Sequence, residues 1–197
     1  MPRPSKAAER TEQILDAFEA CIMKHGLGGS SLENIAKEAG MKRSILRHYI
    51  GNREELELAL FARVMKRYHN ELDVIFDWFT DDDIEEQVLA MFFPNRMASS
   101  METIVMTEAL LTLSRRSEEC EAQFVDYMNT FVAGLTEVLM RHYVGAGEDR
   151  CWSVSYGIIS IYFNQDTLMT LQLPSRYVDA ARETARILLR SLEQLTS

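Results

Sequence analysis

Cysteine, proline and tryptophan are all scarce in this chain: three, four and two among 197 residues. The cysteines, Cys21, Cys120 and Cys151, are odd in number and far apart, which excludes a disulfide framework and suits a reducing, cytoplasmic compartment. The four histidines, His25, His48, His69 and His142, show no paired ligand spacing, so no metal site is expected. No run approaches the ~18 consecutive apolar residues of a membrane span, and residues 1–6 hold no apolar core of the kind a signal peptide needs. Runs of alternating polarity are missing too, so nothing demands a β-strand. No phosphate-binding glycine loop or nucleophile–base pair stands out, so no cofactor is expected and an enzyme in this chain fares badly.

What the chain does have is apolar and charged side chains in quantity. With 47% hydrophobic residues it can bury the core of one or two domains. Its net charge of −9 is unevenly spread: residues 1–67 hold 12 Lys and Arg against 9 Asp and Glu, and the remainder holds 9 against 21. A mildly basic head on an acidic body suits a protein whose head meets a polyanion and whose body is repelled by it.

Helical periodicity accounts for nearly every segment. Within 9–25, Ile14, Phe18, Cys21 and Ile22 share one face, and Gly26-Leu27-Gly28-Gly29 predicts a break. Ser30-Ser31-Leu32-Glu33 has the spacing of a capping box, with the Ser30 hydroxyl accepting from the Glu33 amide. The second helix turns Leu32, Ile35, Ala36 and Ala39 inward and ends at Gly40, and a short third helix covers 43–49. Asn52 caps a long fourth helix, from 53 to about 79, with Leu56, Leu60, Val64 and Tyr68 as its inner stripe. Thr80 to Asp83 form a loop and an acidic N-cap. Further helices are expected near 83–92, 99–115, 117–143, 148–171 and 175–195, punctuated by Pro94, Ser117, Gly145 with Gly147, and Pro174. The predicted fold class is all-α with about nine helices: a three-helix helix-turn-helix domain at 1–52 and a larger helical domain at 53–197.

The segment from Leu32 to Tyr49 carries the sharpest signal. A helix-turn-helix needs a small residue where its helices cross, a residue tolerant of left-handed geometry in the turn, and an apolar anchor on the second helix. Ala36, Gly40 and Leu46 supply these in order, with Ile45 expected to help Leu46 lock the third helix down. Lys42, Arg43, Ser44, Arg47 and His48 are then left to face double-stranded DNA. Arg47 reads either as a base contact or as a phosphate contact. Ser31 reads as a helix cap, a phosphate contact, or both. Tyr49 reads as partly core, and Arg53, a cation in a helix's first turn, as a phosphate contact. Arg3 and Lys6 read as an arm into the minor groove or as a plain tail.

The run Ser31-Leu32-Glu33-Asn34-Ile35-Ala36-Lys37-Glu38-Ala39-Gly40-Met41, followed by Leu46, Tyr49-Ile50 and Asn52-Arg53-Glu54-Glu55-Leu56, resembles the TetR family of regulators over about residues 10–60. The resemblance implies a homodimer, a recognition helix in the major groove, and a body cavity whose small-molecule effector controls DNA affinity. The chain departs from the family pattern at several positions. Lys42 stands where the family carries a small capping hydroxyl, Arg47 where it carries a phosphate-contacting tyrosine, Ser44-Ile45 where it carries Gly-Thr, and Arg53 where it carries lysine. A lysine cannot cap, and its charge opposes the helix dipole.

In the body, three helical stripes are candidate walls for such a cavity, or plain core. One holds Met101, Ile104, Glu108 and Leu111; a second holds Phe124, Met128, Phe131, Leu135 and Val138; a third holds Trp152, Tyr156, Ile159 and Phe163 and leads to Asp166. Of these, Met101, Glu108, Phe124, Met128, Phe131, Trp152, Tyr156, Phe163 and Asp166 are the expected ligand contacts, and a carboxylate there favours a cationic or hydrogen-bond-donating ligand. Segment 151–163 is apolar nearly all round, and Ala180, Ala181, Ala185, Leu188, Leu189 and Leu192 allow close packing, so the last two helices are the expected dimer elements. The reading is a ligand-responsive repressor on a palindromic operator. The rival is an architectural DNA binder without an effector, whose body would be fully packed.

Overall fold

A computed structural model describes residues 6–80, 82–94, 100–168, 171 and 173–193, and these contain nine α-helices and no strand. They are α1 (Lys6–Gly29), α2 (Leu32–Glu38), α3 (Arg43–Ile50), α4 (Arg53–Asp77), α5 (Ile84–Phe92), α6 (Met101–Ser114), α7 (Glu118–His142), α8 (Glu148–Leu168) and α9 (Arg176–Arg190). The all-α expectation holds, helix by helix. Arg3 and Asp81 lie outside the described residues.

The chain packs as two compact units. One draws on residues 1–67 and 101–125, the other on 68–100 and 126–197. The expected boundary at residue 52 marks the start of α4, whereas packing divides within α4 and α7, so each of these helices contributes to both units.

In the first unit α1 is the central element and packs on α2, α3 and α6. Its buried stripe of Ile14, Leu15, Ala17, Phe18, Cys21 and Ile22 meets inner positions Ile35, Ala36 and Leu46. The fourth helix adds Leu56, Leu60, Phe61 and Val64, all fully buried. An ionic seam binds α4 to α1: Arg63 reaches Asp16 at 2.7 Å and Glu12 at 3.1 Å and also pairs with Glu19, which Arg67 shares at 3.2 Å. These hydrogen bonds hold the Arg63 guanidinium above its ordinary value, against the opposing effect of burial.

Helix α1 is broken where the glycine run predicts. Gly26 sits at φ 68°, left-handed backbone, and helical geometry resumes as far as Gly29. The cap of α2 falls one residue later than expected. Ser31 is the N-cap and its Oγ accepts from the Asn34 amide at 3.1 Å. Ser30 is turned inward, nearly without exposure, and donates to the Gly26 carbonyl at 2.8 Å that the break leaves open. Asn52 caps α4 as expected: its Oδ1 accepts from the Glu55 amide at 3.0 Å, and Glu55 accepts from the Asn52 amide at 2.8 Å.

In the second unit α9 packs on α8 and α5. Arg182 donates to the Phe93 carbonyl at 2.7 Å and the Leu89 carbonyl at 3.2 Å, satisfying the open C-terminal end of α5. Arg186 and Arg190 pair with Glu85 and Glu86 at the other end of α5, at 2.9–3.1 Å. The hydrogen bond from Arg190, then the charges of Arg190 and Arg186, hold the Glu85 carboxyl below its ordinary value despite burial. A depressed folded-state pKa means stability that is complete above the unfolded carboxyl's value of about 4.3 and is lost as pH falls through the lower folded value. Urea unfolding of Glu85→Gln across pH should therefore show a deficit against the parent at neutral pH that closes as pH drops below about 4. A deficit independent of pH would contradict the ion-pair account.

Candidate nucleic-acid interface

The turn between α2 and α3 is closed by two backbone bonds. The Gly40 amide donates to the Lys37 carbonyl at 3.1 Å, and the Met41 amide donates to the Ala36 carbonyl at 2.9 Å. With Gly40 at φ 65°, this is a Schellman ending, which only a residue tolerant of left-handed backbone adopts cheaply. One further carbonyl, that of Ala39, accepts from the Gln13 side chain at 2.9 Å, so α1 braces the turn directly. Ala36 is buried at the crossing, as expected of the small residue there.

Leu46 has no exposure and Ile50 is 9% exposed; spaced one helical turn apart, they anchor α3 from one side. Ile45 does not join them. It is 42% exposed, because its neighbour Leu46 takes the inward direction and successive residues on a helix point about 100° apart. Arg43, Ser44, Arg47 and His48 are all exposed, and Tyr49 is half-buried with its ring edge-on to His48 at 5.2 Å. Lys42 is the N-cap of α3 and makes no side-chain cap, so the amides of the first turn are left without one.

Two sequence-predicted contacts have partners within the protein. Ser31 uses its oxygen to cap α2, yet it is exposed and a hydroxyl that accepts one bond still has its proton to donate. Arg53 is committed more deeply. Its guanidinium bonds the Ser30 carbonyl, reaches the Leu27 carbonyl at 3.4 Å and Glu57 at 2.6 Å, and lies over the Phe18 ring at 4.6 Å. It braces the start of α4 against the loop before α2, a role the sequence does not disclose because the partners are carbonyls 23 and 26 residues away.

Sequence reasoning also missed two cations beside this surface. Arg10 of α1 and Lys37 of α2 line an open notch of about 520 Å³ together with Gly40, Met41, Lys42, Ile45 and Tyr49. For Lys37 the sequence pointed the other way: Glu33 stands four residues before it, the favoured orientation for an intrahelical pair, and the structure forms no such salt bridge. Arg10 gave no signal, because only the fold brings it to the turn.

The expected ligand contacts divide between the units. Met101 and Glu108 are exposed on α6 and Phe124 is half-buried, all three in the first unit. In the second unit Trp152 and Tyr156 are 49% and 52% exposed and stack on each other at 5.6 Å, so they line no enclosed space within the chain. The reason is the register of α8, which buries Cys151, Val154, Ser155, Ile158 and Ile159 and turns 152 and 156 outward. Phe131 is the one centre that emerges. Phe76, Phe92, Tyr127, Tyr162 and Phe163 surround it with ring centroids 5.8–6.4 Å away, Met128 is half-buried, and Asp166 is buried one turn beyond Phe163. Burial, reinforced by the neighbouring Tyr162 and Tyr68, pushes the Tyr127 phenol well up, so it stays a neutral donor. Burial likewise pushes the thiols of Cys21, Cys120 and Cys151 up. Among the described residues no group of three or more His, Cys, Asp or Glu could hold a metal ion, and no helix is long and apolar enough to cross a membrane.

Residues 14–60 match the family described as bacterial regulatory proteins, tetR family. Over 56 residues the chain is 41% identical to the HTH-type transcriptional regulator PksA of Bacillus subtilis, a match that spans 28% of this chain and 27% of that protein's length. Two solved structures share the fold nearly end to end. A transcriptional regulator from Rhodococcus superposes with a TM-score of 0.69 at 16% identity, over 93% of this chain and 96% of its own. A TetR transcription regulator from Haloarcula marismortui gives 0.70 at 18% identity, over 93% and 97%. The sequence likeness is thus concentrated in α1 to α4, and the rest is a likeness of fold.

The uncapped start of α3 generates a prediction. Lys42→Ser supplies the missing hydroxyl and removes the cation from the positive end of the helix dipole, so it should raise the unfolding free energy by about 0.5–1 kcal/mol while weakening binding to DNA. Urea denaturation and a DNA titration check the two halves; tighter DNA binding at every salt concentration would show that Lys42 plays no useful part in holding the duplex.

Proposed function

We propose, from the match of residues 14–60 to the tetR family of bacterial regulatory proteins, that the chain is a transcriptional regulator whose third helix reads double-stranded DNA. The observation that carries this reading is the division of α3 itself. One side is anchored by Leu46 and Ile50, while Arg43, Ser44, Arg47 and His48 project outward, and neither arginine has a carboxylate partner among the described residues. Cations left unpaired on a short, firmly held helix suit a polyanion with edges to be read in its major groove. Arg47 has the fork that matches guanine, and the exposed Ile45 offers an apolar contact to a thymine methyl.

The regulator acts as a homodimer. Helices α8 and α9 pack on each other, and each keeps an uncovered apolar strip: Trp152 and Tyr156 on α8, and Tyr177 and Ile187, 53% and 61% exposed, on α9. Two-fold pairing of these strips covers them, and reading a palindromic operator calls for two copies of α3 about 34 Å or more apart, the spacing of successive major grooves. In this reading the protein is a repressor whose small-molecule effector is held in the second unit near Phe131 and the buried Asp166, whose carboxylate favours a cationic or hydrogen-bond-donating ligand, and lowers operator affinity. That requires the effector to bind the two states with different affinity.

Arg47→Ala should cost about 1–3 kcal/mol of affinity for a tight-binding duplex and relax the base preference at one position per half-site. Unchanged affinity and preference would remove Arg47 from the reading surface. The pairing of α8 and α9 is checked by sedimentation: Trp152→Glu with Ile187→Glu should convert a dimer to a folded monomer and abolish tight operator binding. A dimer that survives both substitutions would place the interface elsewhere.

A further inference from the structure

Several cations of the first unit, Lys6, Arg43, Arg47, Lys66, Arg115 and Arg116 among them, make no salt bridge among the described residues; what sets the notch apart is convergence. Lys24, Arg53, Arg63 and Arg67 each hold a carboxylate at salt-bridge distance: Glu38, Glu57, the acidic trio of α1, and Glu19. Arg10, Lys37 and Lys42 hold none among the described residues, although all three converge on the notch of about 520 Å³ beside the α2–α3 turn. Three cations around one hollow repel one another, and the arrangement is stable only if water and counterions, or a bound anion, neutralise it.

The notch is built rather than incidental. Arg10 Nη1 donates to Gln13 Oε1 at 2.6 Å, and the same amide group of Gln13 donates to the Ala39 carbonyl at 2.9 Å. The guanidinium is therefore tied, through one intermediary, to the backbone that also fixes the start of α3. Lys37 stands in the last turn of α2, and its own carbonyl accepts the Gly40 amide of the Schellman closure. The floor is apolar, made by Met41, the exposed Ile45 and Tyr49, which suits a sugar edge beside a phosphate.

We propose that this notch is a seat for backbone phosphate of the DNA strand flanking the bases that α3 reads, with Arg10 and Lys37 as its charge contacts. This rests on the DNA-reading role of α3 and extends it: the duplex is held by α1 and α2 as well as by the recognition helix, and the extension is sequence-neutral because it engages phosphate.

The test is the salt dependence of binding to one tight-binding duplex, measured for the parent chain, Arg10→Ala/Lys37→Ala, and the charge-preserving Arg10→Lys/Lys37→Arg. Each phosphate that a side chain neutralises releases about one condensed counterion. The alanine pair should therefore make the slope of log K against log salt shallower by about 2 per protomer bound, and the charge-preserving pair should keep it. Base preference in a selected pool should not change. Both residues are exposed, and urea midpoints establish that the variants fold. An unchanged slope for the alanine pair overturns the proposal, and so does an altered base preference, which would make the notch a reader of bases. If the parent chain binds no duplex at any salt concentration, the DNA-reading role itself fails and the notch falls with it.

Discussion

An eight-residue helix does not hold its shape alone in water, and everything distinctive about this protein's first unit follows from how α3 is held. Leu46 and Ile50 give it two buried apolar pegs one turn apart, on a helix that packs against α1 and α2. The Schellman closure at Gly40 fixes the direction in which it leaves α2, and Gln13 adds a side-chain strut from α1 to that closure. Burial of a leucine-sized side chain contributes about 1.5–3 kcal/mol. This outweighs the roughly 1 kcal/mol forgone where Lys42 fails to cap. The anchoring therefore lets the helix's own start be chosen for charge instead of stability.

Charge is allotted on the same principle. Where cations stabilise the fold they are paired, as in the Arg63 seam between α4 and α1 or the Arg182–Arg186–Arg190 ladder along α5. Where they surround α3 they are unpaired. Arg53 shows that sequence neighbourhood alone does not decide between the two: it stands at the first position of a helix beside the reading module, yet its guanidinium is taken up by two carbonyls, Glu57 and the Phe18 ring. Lys66, Arg115, Arg116, Arg141 and Arg176 also make no salt bridge among the described residues, so a missing partner points to an outside anion only where several such cations share one surface, as they do around α3.

Much of this was legible in the chain itself. All nine helices fall near their predicted positions, because 3.6-residue periodicity and glycine or proline punctuation are local signals. Ala36, Gly40 and Leu46 take the three places their chemistry suggests. Finer registers were not legible. Ser30 and Ser31 are equivalent as caps on paper, and only the open Gly26 carbonyl decides between them. Ile45 and Leu46 are equally apolar, but a single helix face holds one of them. In α8 the nearly continuous apolar stretch hides which side is core, so Trp152 and Tyr156 turned out to be surface and Phe131 of α7 to be the aromatic centre. Such choices depend on partners far away in sequence, which a periodic pattern does not name.

The central claim is that α3, held by Leu46 and carrying Arg43 and Arg47, reads DNA as one of a symmetric pair. Selection of tight-binding duplexes from a random pool by the full chain tests it most directly. The account predicts enrichment of an inverted repeat whose half-sites are centred about 10 base pairs or a further helical turn apart, with the preference relaxed at one position of each half-site when Arg47 is replaced by alanine. Recovery of no enriched sequence, or of a single unrepeated site indifferent to Arg47, would contradict it.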